Sequence, residues 1–288
     1  MKDSIAGIRN LPQHRRWEPQ LNTLILKKLL PREHGSWAIL LIPYCLGAII
    51  AGGFSPPSIL GLVGCLLLFI CRRPLIILLK SRKSREDTGP LLWMNFVVPA
   101  LSGLSIFIWL LFQYNLWYLF LFGFISVLVF FAHTLLTLQR QERTIIGEFL
   151  GILVLTVSAP LAYYLYQHVL TASAVVLWFL NALYFGASVF YVKMRLILSA
   201  HNDRPSRRFT HERNILIYLS ILLFVLVILS LGKLAPISVV LAFVPMMAHT
   251  LWSLMFMPQR LNITRQGFVQ VGLSLVFAVL IIMSYKVL

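Results

Sequence analysis

The sequence predicts an all-α polytopic membrane protein, with about nine transmembrane helices in a single bundle. Two compositional observations carry this reading. The 288 residues are 59% hydrophobic and 12% charged, with a mean hydropathy of +0.84, more apolar surface than a soluble core of this size can hide. The 25 Lys and Arg residues then alternate by loop. Once the apolar stretches are marked out, 23 of them fall on one side, leaving only Lys233 and Lys286 on the other. That asymmetry is the positive-inside pattern, and it predicts a cytosolic N-terminus and an external C-terminus.

In chain order, the first 35 residues form a basic arm expected in the cytosol. Arg15, Arg16, Glu18 and Pro19 make it too polar and too long for the leading region of a signal peptide. Within it, Leu21 to Leu30 (LNTLILKKLL) is short, apolar and tipped with Lys27 and Lys28, as suits a helix lying in the inner interface. Residues 36–288 are expected to form one helical domain, with spans near 36–53, 57–79, 90–112, 115–138, 145–166, 171–192, 214–232, 234–257 and 266–285. External connections are tight, as at Phe54 to Pro56 and at Lys233, so successive helices are antiparallel neighbours. Long basic loops follow spans 2 and 6. Span 2 is ambiguous, because Arg72-Arg73-Pro74 interrupts it. Either the helix continues through the proline to Leu79, which we favour, or it stops and the rest lies along the interface. Trp37, Trp93, Trp109 and Trp117 sit near expected interfaces, where tryptophan anchors helices.

Charge and cysteine usage narrow the function classes. The net charge of +16 sits in short loops beside the spans, where anionic phospholipid attracts it. That makes lipid, and no nucleic acid, the expected partner. Cys45, Cys65 and Cys71 lie inside apolar runs without metal spacing and read as small hydrophobes. No Ser-His-Asp set, nucleotide loop or metal cluster is legible.

Polar residues inside spans are costly and mark bundle interiors or water-filled cavities. Asn95, His133, Glu148 and His249 fall in the cytosolic halves of spans 3, 4, 5 and 8, and Arg72 and Arg73 in the same half of span 2. Asn181 and Tyr184 sit near the middle of span 6, whose basic end carries Lys193 and Arg195. The outer halves hold little beyond hydroxyls and prolines. A cationic chamber open to the cytosol is therefore expected. Each member also has a plainer role. Glu148 suits a helix N-terminus or a pair with Arg143 or a span-2 arginine, the histidines suit interhelical hydrogen bonds, and the arginines suit snorkelling to lipid phosphate. At the mouth of span 1, Arg32, Glu33 and His34 in Pro31 to Trp37 (PREHGSW) could form a headgroup site. Pro31, Glu33 and Trp37 also fit an ordinary helix start.

This PREHGSW stretch, followed by IPYCLG in span 1, RRPL at 72–75 and YVKMR at 191–195, resembles the YwiC-like family of bacterial membrane proteins. That resemblance implies a bacterial inner membrane, with a thylakoid membrane left open, and brings no settled activity. More distantly, Gln139 to Tyr164, with Arg143-Thr144, Leu150-Gly151 and Pro160, resembles the UbiA-type intramembrane prenyltransferases. Those are nine-helix bundles with cytosolic N-termini, and their chamber lies beneath the loops after spans 2 and 6. They hold magnesium and a prenyl diphosphate with two aspartate-rich motifs. Here the matching places carry Arg72, Arg73 and Lys80, and Lys193 and Arg195, with only Asp87 and Asp203 in the loops. That set counts against magnesium and against ordinary prenyl transfer. It leaves binding or modification of an isoprenoid, quinone or other amphipathic anion as the expected function. If the chain is an enzyme, it is a divergent prenyltransferase-like transferase. A small-anion transporter and a non-catalytic scaffold gripping a protein partner use the same residues and are the competing classes.

Overall fold

A computed structural model describes residues 34–84, 90–139, 144–200, 205–256 and 263–286. The basic arm expected over 1–35 therefore lies almost wholly outside the described residues. The chain forms α1 (His34–Ala51), α2 (Pro56–Ser84), α3 (Pro90–Tyr114), α4 (Tyr118–Leu138), α5 (Ile145–Thr156), α6 (Ser158–Gln167), α7 (Ala172–Ala200), α8 (Pro205–Leu231), α9 (Val239–Phe256) and α10 (Ile263–Lys286). Among the described residues, eight spans are long and apolar enough to cross a membrane. A further described segment, Gly35–Ala51, is apolar but shorter. This is the expected helical membrane bundle.

Helices α5 and α6 share one span, Ile146–Gln167. Pro160 has no N–H to give the Thr156 carbonyl, which divides the span without turning the chain. Span 2 resolves in favour of continuity, since α2 runs unbroken through Arg72, Arg73 and Pro74 for 29 residues, a length of about 43 Å at 1.5 Å per residue. The two arginines therefore stand on a membrane helix, not on an interfacial strip.

At the end opposite the basic loops, every short connection is closed by a residue in the left-handed region. These are Gly52 (φ 142°) and Gly53 (φ 136°), Asn115 (φ 53°), His168 (φ 58°) and Lys233 (φ 55°). At three of the four, an amide reaches back five residues to a helix carbonyl: Gly53 to Ala48, Leu116 to Leu111 and Leu234 to Leu229, at 2.8–3.0 Å. That geometry satisfies the terminal carbonyls that a helix leaves orphaned. Backbones also approach closely here, because a Cβ on Gly47 of α1 would run into the Ala159 carbonyl of α6. The Tyr44 hydroxyl donates to the Ser58 carbonyl, and the Gln167 amide donates to the Ala51 carbonyl. In lipid, where apolar burial gives helices little reason to associate, such close packing and hydrogen bonding hold a bundle together.

The core is asymmetric. In the most apolar stretch of each span, 56% of residues are buried for α5–α6 and 61% for α7, against 17% for α3 and 22% for α4. Helix α1 packs on α6, α7 and α10, and the largest apolar cluster runs through α1, α7, α8, α9 and α10. Helices α3 and α4 present wide apolar faces outward. Trp93, Trp109 and Trp117 are all about half exposed there, in keeping with an anchoring role.

Candidate functional site: the basic end of the bundle

Helix α5 organises this end. Thr144 caps it by accepting the Gly147 amide at 3.2 Å, a typical N-cap bond. Glu148, in its first turn, pairs with Lys193 of α7 at 2.9 Å, with both side chains about a quarter exposed. The expected partners were Arg143 or an arginine of span 2. Arg143 lies outside the described residues, and the carboxylate instead reaches across to α7, which the sequence order placed 45 residues away. Three residues further along α5, about 4.5 Å of rise, Gly151 leaves room for His133 of α4. A Cβ there would sit 3.3 Å from the imidazole Nε2.

His133 is buried, and its ring receives the Arg72 guanidinium of α2, with Nη2 at 3.1 Å from Nδ1 and 3.4 Å from Nε2. Arginine only donates, so the imidazole takes this bond through an unprotonated nitrogen. Thr137, one turn on, places its hydroxyl 3.4 Å from Nδ1. Arg72, His133, Glu148 and Lys193 thus gather around the first two turns of α5. Beside them, Glu148, Phe149 and Ile152 of α5 face Gly186, Val189 and Phe190 of α7 across a recess of about 180 Å³. The enclosed part of that recess is only about 10 Å³, room for about one water, so it is a notch beside the charged group and not a ligand cavity.

The remaining expected residues divide. Arg73 is half-buried on α2. Arg32 and Glu33, and the side chain of His34, lie outside the described residues. Asn95 is not brought to the group: it is partly exposed on α3, and its amide donates to Leu91 within the same helix at 2.8 Å. Asn181, Arg195 and His249 gather elsewhere, along a second seam formed by α7, α9 and α10. Arg195 is buried and within electrostatic reach of His249, whose ring stands edge-on to Tyr191 at 5.3 Å. Tyr191 donates to the Ser253 hydroxyl at 2.7 Å.

Ser188, Tyr191, Gln266 and Gln270 were missed in the sequence. Asn181, Tyr184, Ser188, Tyr191 and Arg195 recur at alternating three- and four-residue intervals. That spacing places all five on one helix face, and all five are buried. The signal was present, diluted by the apolar residues between.

The YwiC-like protein family matches residues 30–163. Over those residues the chain is similar to that family. The "Uncharacterized protein YwiC" of Bacillus subtilis (strain 168) is 26% identical over 191 residues, covering 65% of this chain and 72% of that protein. No solved structure matches the chain. The YwiC-like stretch runs from the approach to α1 to near the end of α6, and so includes Arg72, His133 and Glu148 while Lys193 lies beyond it. Among the described residues, no three His, Cys, Asp or Glu side chains come together as a metal site. Asp87 and Asp203 lie outside them.

Proposed function

We propose that the basic end of this bundle binds the head of a lipid-borne ligand, namely an isoprenoid, a quinone or another amphipathic anion, with Arg72 and Arg73 as the principal recognition groups. One observation carries the reading. Arg72 turns inward onto His133 of α4, whereas an arginine serving as a lipid anchor extends outward to the headgroups. A guanidinium keeps its charge in any setting and presents a planar fork of donors, which suits phosphate or carboxylate. Lys193, oriented by Glu148, adds a second cation near the same turns of α5, and the adjoining recess offers an apolar wall.

This arrangement supports binding more than bond-breaking. Ionising a diphosphate ester needs concentrated positive charge at the leaving group, and one of the cations here is already matched by Glu148. The UbiA-type resemblance enters as support for a ligand chamber beneath the loops after spans 2 and 6, not as support for prenyl transfer.

The test is retention. The protein is purified in mild detergent, and the co-purifying lipids of wild type and the Arg72→Gln/Arg73→Gln variant are identified by mass spectrometry against an unrelated membrane protein. Enrichment of an isoprenoid, quinone or prenyl phosphate that falls at least tenfold in the variant is expected. Bulk phospholipid alone, equal in both samples, would overturn the reading and direct attention to transport or to a protein partner.

A further inference from the structure

Helix α2 is held differently along its two halves. In the turn half it meets the bundle closely, with Gly61 against the Leu165 side chain of α6 and the Ser58 carbonyl accepting the Tyr44 hydroxyl of α1. On another face α3 packs along it, and a Cβ on Gly103 would sit 3.1 Å from the Gly64 carbonyl. In the basic half α6 has given way to α5, which packs on both α1 and α4. There the backbone of α2 makes no extended close approach to those of α1 or α5. Among the described residues, side chains span the distance instead. Phe69 reaches α1, where the Trp37 ring stands edge-on at 4.9 Å, and Arg72, about one turn on, reaches His133 of α4.

The difference matters inside a membrane. Helices in lipid are held by close packing and hydrogen bonds, since burying apolar surface gains little there. A seam bridged by side chains therefore parts more readily than a joint where backbones meet. Phe69 is buried and Trp37 half-buried, so the ring pair covers what lies behind it. Helix α1 runs away from the basic end and α2 towards it, which brings Gly35 about level with the turn of α2 that carries Arg72 and Arg73. A Cβ on Gly35 would meet no described atom within 4 Å, so the approach to the ring pair is open on that side. Behind the pair, Arg72 holds a replaceable partner. His133 takes its bond as a neutral imidazole, and a guanidinium bonds an anionic oxygen about twice as strongly as a neutral acceptor. A phosphate or carboxylate that reaches Arg72 displaces the imidazole, whereas a carbonyl or hydroxyl, neutral like the ring it would replace, gains nothing by the exchange.

We infer that the seam between α1 and α2 is the side entrance of the site at the basic end. An anionic head from the leaflet on that side passes the Trp37/Phe69 pair and takes Arg72 from His133, and its tail is left lying between α1 and α2 in contact with lipid. This rests on the ligand site proposed above and narrows its chemistry to phosphate or carboxylate heads, because a neutral quinone has no means of displacing His133.

The experiment measures saturable binding of tritiated farnesyl phosphate and farnesol, two probes with one tail, to the detergent-purified full chain. Wild type binds farnesol at least tenfold more weakly than farnesyl phosphate. The Trp37→Cys/Phe69→Cys variant, built with Cys45→Ala, Cys65→Ala and Cys71→Ala, is then bridged by a short bis-methanethiosulfonate before the probe is added. Bridging lowers farnesyl phosphate binding at least tenfold, and reduction of the bridge restores it. Equal affinity for the two probes, failure of the bridge to form, or a bridged protein that binds as its reduced form does would each overturn the entrance. Should the variant not purify, farnesyl phosphate with a diazirine at its tail end is crosslinked to wild type and mapped by mass spectrometry. Labels on α1 or α2 near Trp37 and Phe69 agree with the entrance, and labels confined to α3 and α4 or to α7–α10 overturn it. Farnesyl phosphate binding that is lost in Arg72→Gln yet survives the bridge removes the entrance and leaves the proposed function standing. No saturable binding of either probe to wild type overturns both.

Discussion

The two ends of this bundle solve opposite problems. At the turn end, left-handed caps at Gly52, Asn115, His168 and Lys233 close the helices, Gly47 sits against the Ala159 backbone, and the Tyr44 and Gln167 side chains satisfy backbone carbonyls. At the basic end, side chains meet side chains: Arg72 with His133, Glu148 with Lys193, and a seam of polar atoms without partners among the described residues. The first pattern makes a rigid clamp. The second spends stability on orienting charge and hydrogen-bonding groups, which the fold alone does not require. The difference supports the ligand site proposed at the basic end, and it can be broken at either end.

The largest effect is expected at the clamp. Gly47→Leu puts a branched side chain where even a Cβ meets the Ala159 carbonyl, and overpacking of that kind costs about 1–3 kcal/mol and occasionally more. The variant should lose its monodisperse species on size-exclusion chromatography. A bundle with an unchanged melting midpoint would mean that α1 and α6 are not held as described. At the basic end, His133→Leu withdraws the acceptor from a half-buried guanidinium and should cost about 1–3 kcal/mol. Adding Arg72→Gln should recover part of that loss. A melting-midpoint cycle over the four proteins measures the coupling, and strict additivity would show that the two residues do not interact.

A smaller change is expected from Glu148→Gln. The pair it breaks is about a quarter exposed on each side, so the loss should be about 0.5–1 kcal/mol and should shrink in high salt. A loss independent of salt would argue for a role other than the ion pair. The smallest effect returns to the turn end. Lys233 occupies the left-handed region at a strain of roughly 1–2 kcal/mol for a residue with a Cβ. Lys233→Gly should therefore raise the melting midpoint slightly, since the freer unfolded chain offsets part of the gain, and should leave ligand retention untouched.

The helices that the clamp joins were legible beforehand. Apolar run lengths and the tight external connections placed the helices, because lipid demands continuous apolar segments with internally satisfied backbones. Even the passage of α2 through Arg72-Arg73-Pro74 was the favoured reading, and its 29-residue helix agrees. The basic end was legible in its residue types but not in its pairings. Glu148 was singled out by depth, yet its partner Lys193 depends on how α5 packs on α7, which spacing along the chain does not encode. Asn95 looked equivalent to His133 by depth, but α3 turns it to its own backbone. The seam was harder still, because Gln266 and Gln270 sit beside a basic loop and read as an ordinary span end. Only the stacking of Phe277 on Tyr184 shows that this face of α10 looks inward.

The most direct test of the contrast between the ends compares lipid retention in three proteins purified identically: wild type, Lys233→Gly from the turn end and Arg72→Gln/Arg73→Gln from the basic end. Each extract is quantified by mass spectrometry per mole of protein. An isoprenoid, quinone or prenyl phosphate retained equally by wild type and Lys233→Gly, and reduced at least tenfold in the arginine variant, is the predicted result. Equal retention in all three, or none in any, would contradict a ligand site built on Arg72 and Arg73 of α2.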